Sequence, residues 1–192
     1  MAHERSAVSP DSPGSPDSPG SRVRTDGHDA GQRARWTSYV WAITRLCIGW
    51  IFLWAFLDKL FGLGHETPRE RSWLEGGSPT EGFLSNAATG PFEDIYKDIA
   101  GAAWADWLFM LGLAGIGVAL ILGIFFRIAV ACGALLLVLM WTAVLPPANN
   151  PFMDDHIIYA LVLVGLALAG AENTLGLGCR WGNLVRGNPW LK

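Results

Sequence analysis

WLFMLGLAGIGVALILGIFF at 107–126, a single Arg127, and IAVACGALLLVLMWTAVL at 128–145 decide the fold. As one helix, this stretch would measure about 58 Å at ~1.5 Å per residue, roughly twice the hydrocarbon thickness of a bilayer. The chain must therefore turn near Arg127, with Gly123 loosening the approach. The stretch predicts a helical hairpin of two membrane spans. Working outward, an apolar run from about Trp36 to Leu63 is long enough for a span of its own. A shorter one, Ile157–Ala171, follows Asp155 and His156. The expected fold class is an all-α membrane protein, a four-transmembrane-helix bundle with spans near 36–63, 104–126, 127–145 and 155–172.

Composition agrees. The chain has 192 residues, 51% hydrophobic and only 16% charged, with 10 Trp and 23 Gly; mean hydropathy is +0.30. An average soluble domain carries roughly 25% charged residues. This balance excludes a disordered protein, a coiled coil and most soluble enzymes. A net charge of −3 gives no support to nucleic-acid binding, which needs a basic face. Cys47, Cys132 and Cys179 form no C-x-x-C pair and read as small buried hydrophobes.

Residues 1–35 contain no apolar run and repeat Asp-Ser-Pro-Gly-Ser, so a disordered cytoplasmic tail is expected there. A signal peptide is not expected, because the first hydrophobic stretch starts late and lacks a small-residue cleavage site. If the N-terminus is cytoplasmic, eight Lys and Arg flank the spans inside (Arg22, Arg24, Arg33, Arg35, Arg127, Arg180, Arg186, Lys192) and three outside (Arg69, Arg71, Lys97). That bias predicts a multi-pass protein of the plasma membrane with both termini, including the segment 179–192, in the cytoplasm. The outer loop, about Gly64 to Ala103, begins with turn chemistry at Gly76-Gly77-Ser78-Pro79. Beyond Pro91 it places Phe92, Ile95, Tyr96 and Ile99 at helical spacing opposite Glu93, Asp94, Lys97 and Asp98. A short amphipathic helix is expected over the outer mouth, either capping the bundle or serving as a lid.

Ionisable residues inside lipid are the informative ones, since each costs at least ~2.5–3.5 kcal/mol at mid-membrane without a partner. Arg45 and Lys59 fall within about 40° of one helix face. Glu172 is the expected partner of Arg45 in a structural ion pair, and Asp106 or Asp155 that of Lys59. Trp50 and Trp54, one turn apart, suggest either ordinary packing or a sandwich for a flat ring. Asn150, Asp155 and His156 make the densest polar cluster beside a span; Asp155 and Asn150 read as helix caps, and His156 as a proton acceptor near neutral pH. Small residues at Gly115, Ala119 and Gly123, and at Gly165 and Ala169, permit close helix contact. No haem, flavin or metal signature is present.

Two segments carry a family resemblance. Arg45-x-x-x-Gly49-Trp50 through Asp58-Lys59-Leu60 resembles the first-helix signature of the DoxX family, and Asn150 through Asp155-His156 and Tyr159 its fourth-helix signature. The resemblance covers about residues 36–178; Glu172-Asn-Thr174-Leu-Gly-Leu-Gly178 departs from the usual ending of the last helix and lacks its terminal Asp. The resemblance implies a four-helix membrane protein of redox metabolism, similar to the membrane subunit of thiosulfate:quinone oxidoreductase. It is similar also to a DoxX protein that assembles with a sulfurtransferase and a superoxide dismutase. Two functions follow as expectations. One is an oxidoreductase subunit binding a quinone among Arg45, Trp50, Trp54, Lys59, Asp106, Asn150, Asp155 and His156, in the outer half of the bundle. The other is a non-catalytic membrane scaffold for soluble redox proteins. Besides the bilayer and such proteins, self-association into a homo-oligomer stays open.

Overall fold

The computed structural model describes the backbone of residues 19–185 and the side chains of residues 30–185. The chain divides into two compact units, residues 1–36 and 37–192. Every described element is helical: α1 (Pro19–Phe61), α2 (Glu81–Ala87), α3 (Glu93–Ile99), α4 (Ala103–Leu122), α5 (Phe126–Ala143), α6 (Asp155–Leu168) and α7 (Gly178–Leu184), with four short 3₁₀ turns between them. Residues 19–35, expected to be disordered, are instead the first turns of α1; residues 1–18 lie outside the described residues. Pro19 is the last of the leader's closely spaced prolines, and extending an existing helix costs far less than nucleating one.

Three segments are long and apolar enough to cross a membrane: Ala30–Phe61, Ala103–Leu122 and Phe126–Ala143. The apolar α6 has 14 residues, about 21 Å of helix. The hairpin falls where the two apolar runs required it. Gly123 and Phe125 both adopt left-handed backbone (φ 72° and 48°), so the reversal occupies 123–125 and Arg127 already belongs to α5.

Within residues 37–192, α1, α4, α5 and α6 share one core of Ile48, Phe52, Leu113, Ile116, Leu120, Phe126, Val130, Leu137, Leu163 and Leu166. Its centre is Gly133. A Cβ there would lie 3.0 Å from Leu163, 3.2 Å from Ile116 and 3.5 Å from Phe52, one residue from each of the other three helices. At Gly117 a Cβ would meet the Leu53 backbone at 2.8 Å, whereas at Gly115 it would meet nothing within 4 Å. Close packing thus uses Gly117 and Gly133. Of the expected small residues Gly123 and Gly165 are also in close contact, a Cβ there lying 3.2 Å from Glu172 O and 3.3 Å from Trp41, and Gly115 is not. The three cysteines, expected inside, are exposed on the protein surface. In a bundle built for lipid an outward face is also apolar, and a thiol suits it.

The segment between α1 and α4 is a folded cap fastened at three points. Asp58 accepts hydrogen bonds from the backbone of His65, Glu66 and Thr67 at 3.3, 3.1 and 2.9 Å. Asp106 accepts from Ser78 Oγ, Thr80 N and Thr80 Oγ1 at 2.8, 3.1 and 2.6 Å. The end of α5 holds the third point: Thr89 N donates to Ala143 O at 2.9 Å, and the Tyr96 hydroxyl bonds Leu139 O at 3.0 Å and Thr142 Oγ1 at 2.6 Å. The amphipathic helix expected at 92–99 is therefore present as α3, docked by Tyr96, with Phe92 and Ile95 exposed. The turn-rich first half of the loop also folds, as two 3₁₀ turns and α2.

Candidate functional site

The bundle has a turn end, where α4 meets α5, and a loop end beneath the 64–102 cap. Arg45 lies at the turn end and is fully buried. Helix ends leave carbonyls unpaired, and those of α4 are claimed in succession. Arg45 Nη1 donates to Leu120 O and to Ile121 O at 2.9 Å; Leu177 N takes Leu122 O at 2.8 Å. Arg45 Nη2 reaches the turn after α6, at Leu175 O (2.9 Å) and Thr174 O (3.3 Å). The expected Arg45–Glu172 ion pair is corrected: no contact of 4.0 Å or less joins them among the described residues. Glu172 Oε1 accepts instead from Asn173 at 3.3 Å. A fork of five N–H donors matches converging carbonyls better than a single carboxylate does.

The other expected site residues separate into structural and open groups. Asp106 is spent on Ser78 and Thr80, and does not meet Lys59, which pairs with Glu66 at 3.2 Å. Asn150 accepts from Phe152 N and Met153 N at 3.0 and 3.1 Å, closing a side-chain-capped turn. The cap of α6 is Asp154, not Asp155: its Oδ1 accepts from Ile157 N at 3.3 Å, and Asp155 is exposed. Trp50 and Trp54 lie with centroids 5.9 Å apart and planes tilted 38°. A ring held between them would need roughly 7–8 Å, two carbon contact distances, so they form no sandwich. Trp54 meets His65 edge-on instead, at 5.1 Å.

At the loop end lies a cavity of about 830 Å³. Its bundle side takes one side chain from each of the four helices: Lys59 (α1), Phe109 (α4), Met140 (α5) and His156 (α6). Its cap side is contributed by residues between Glu66 and Asn86, with Arg71, Ser78 and Ser85 among them. Of the residues singled out in the sequence, Lys59 and His156 line this space, while Trp54, Asp106, Asn150 and Asp155 do not. His156 Nδ1 lies 2.6 Å from Asp154 Oδ2. Sequence reading missed Asp154, Arg71, Phe109 and Met140. Asp154 had a signal, since of two adjacent acids the one before the first helical residue is the cap; the others are placed by the docking of distant segments.

The arrangement offers ammonium donors, one imidazole and an aromatic–thioether wall in a space of ligand size. No solved structure matches the chain, and no curated protein does. A family model does match, over residues 40–146. That stretch takes in the second half of α1, the whole cap, α4 and α5, and ends before Asn150, so only the first of the two resemblance motifs falls inside it. With more than half of the chain matched, from the Arg45 and Lys59 segment through the entire cap to the end of α5, the chain belongs to the DoxX family.

Proposed function

We propose that this protein is the membrane subunit of a quinone-linked redox system, crossing the plasma membrane four times and holding a quinone headgroup in the loop-end cavity. The observation that carries this reading is the bundle side of the cavity. Two polar side chains, Lys59 and His156, face the same space as two apolar ones, Phe109 and Met140. A quinone or hydroquinone ring needs that mixture: hydrogen-bonding partners for its oxygens at the edge and an apolar surface at its face. Such a ring, when bound, supplies reversible two-electron, two-proton exchange; the protein's residues bind and orient it. The redox assignment itself rests on the likeness to thiosulfate:quinone oxidoreductase.

The fourth crossing is supported by a comparison of levels. On α1, Arg45 and Lys59 stand about 21 Å apart. The segment from His156, which lines the same cavity as Lys59, to Thr174, bonded to Arg45, runs between these two ends of the bundle. Four crossings put both termini on one side, and the excess of basic residues makes that side the cytoplasm.

A lipid extract of the purified protein is expected to contain stoichiometric quinone; Lys59→Met is expected to lose it and His156→Ala to retain less of it, both at unchanged folded yield. A second reading, a scaffold docking sulfurtransferase-like or superoxide-dismutase-like proteins, is favoured by one specific observation. Arg45, Asp58 and Asp106, the buried charged residues among those described, are all bonded to the chain's own backbone or hydroxyls. Quinone-free extracts, with both variants behaving as wild type, would establish that reading instead.

A further inference from the structure

We propose that the cavity selects the hydroxyl-bearing, reduced form of its ring over the oxidised form, and that Asp154 sets this preference through His156. The inference rests on the quinone reading above and adds a direction to it.

Asp154 makes two different hydrogen bonds. Its Oδ1 accepts from Ile157 N at the start of α6, at 3.3 Å. Its Oδ2 lies 2.6 Å from His156 Nδ1. An ionised carboxylate can only accept, so the imidazole proton of this pair resides on Nδ1. In a neutral ring the remaining nitrogen, Nε2, is then an acceptor without a proton. Nε2 makes no hydrogen bond among the described residues, and it is not sealed in: the buried polar atoms lacking a partner are Arg45 Nε and Glu172 Oε2. His156 lines the cavity and Asp154 does not. The ring turns its Nδ1 edge toward Asp154, so Nε2 lies on the opposite edge, and that is the edge the proposal places against the bound ring.

An acceptor at that position discriminates between the two forms of a quinone. The hydroquinone hydroxyl donates to it; the quinone carbonyl, itself an acceptor, leaves Nε2 unpaired. Lys59 does not discriminate, because its ammonium carries three donors, one of them used on Glu66, and both a carbonyl and a phenolic oxygen accept. Phe109 and Met140 treat the two rings alike, as does Arg71, which only donates. Of the two carboxylates on the lining, Glu66 is engaged by Lys59, and Glu81 belongs to the cap side, across the space from the bundle-side His156. One well-made hydrogen bond against an unpaired acceptor amounts to about tenfold in affinity. Asp154 is a positioning residue here, acting on the ligand only through the tautomer of His156.

The test measures equilibrium binding to the full chain in lipid nanodiscs, without oxygen and at about pH 8.5, above the ordinary imidazole range. The probes are decylubiquinone and menadione, each in its oxidised and its reduced form. Wild type is expected to bind a reduced probe about tenfold more tightly than its oxidised counterpart. His156→Phe keeps a ring of similar shape and is expected to bind both forms equally. Asp154→Asn is the decisive variant. Asn caps helices as well as Asp does, and with its oxygen held by Ile157 N its amide faces His156 Nδ1. That amide donates, so the proton moves to Nε2, and the preference is expected to reverse toward the oxidised form. Equal binding of both forms by wild type, a preference for the oxidised form, or a preference that survives in either variant would overturn the proposal while leaving the quinone cavity in place. If neither form of either probe binds, both the proposal and the cavity reading fall.

Discussion

Arg45 shows how one side chain can close a helix end and tie three segments together. Its guanidinium draws the terminal carbonyls of α4 and the 174–175 turn onto α1, where the negative end of a helix dipole adds to the attraction. Hydrogen bonds to a charged group contribute about 1.5–3 kcal/mol each, and orphaned buried carbonyls cost ~1–3 kcal/mol. Arg45→Leu is accordingly expected to lower stability by about 3–5 kcal/mol, read as a fall in detergent melting temperature. Arg45→Lys should recover part of this, since one ammonium cannot span carbonyls on both segments. Because no ion pair of 4.0 Å or less joins Arg45 to its neighbour Glu172, only their longer-range attraction couples them. The double variant Arg45→Leu with Glu172→Leu should therefore come within ~1 kcal/mol of the sum of the singles. A coupling above ~2 kcal/mol would reinstate the ion pair. The sequence marks Arg45 as a charge needing a partner; it does not reveal that the partners are backbone oxygens as far as 130 residues away.

At the scale of elements, the cap between α1 and α4 is held by separate fastenings, and that separateness is testable. Asp106→Ala removes the acceptor for Ser78 and Thr80 but leaves α3 attached to α5 through Thr89 and Tyr96. Amide exchange in residues 78–84 is expected to quicken by about 10- to 100-fold, matching ~1.4–2.8 kcal/mol of lost anchoring. Residues 93–99 should keep their protection. Uniform loss across the cap would mean that it opens as one unit. The helix α3 was legible beforehand because an apolar stripe at 3.6-residue spacing is a local signal. The roles of Asp58 and Asp106 were not, because a carboxylate near a helix end looks the same in sequence whether it faces an ammonium or the N–H and O–H groups of a folded-back loop.

For the whole molecule, the number of crossings decides on which side each end lies. On a cysteine-free background, Asp94→Cys in the cap and Gly182→Cys in α7 are expected to react with an impermeant maleimide from opposite sides of the membrane. Gly182 has open space around it, and Asp94 is exposed, so neither change should disturb folding. Labelling of both from the same side would limit the chain to three crossings, with α6 packed as a half-depth helix. The cavity would survive that outcome, since its four contributors meet at the loop end in either topology.

What the sequence determined by itself was whatever lives within one or two helical turns or one apolar run. The membrane character, the hairpin near 123–127 and the amphipathic stretch at 92–99 all depend on local composition and period, and the structure returns them close to where they were read. Lys59 and His156 were also legible, as ionisable groups beside apolar spans. Only the tertiary structure decided that Gly117 and Gly133 are points of close approach and that Gly115 is not. It alone decided that Trp50 and Trp54 pack on each other without a slot, and that Asp154 rather than Asp155 turns toward His156. The reason is physical: helix rotation and depth are set by which side chains interlock across the bundle. A rotation of one residue, about 100°, moves a group from the core to the lipid without altering the hydrophobic pattern that announced the helix.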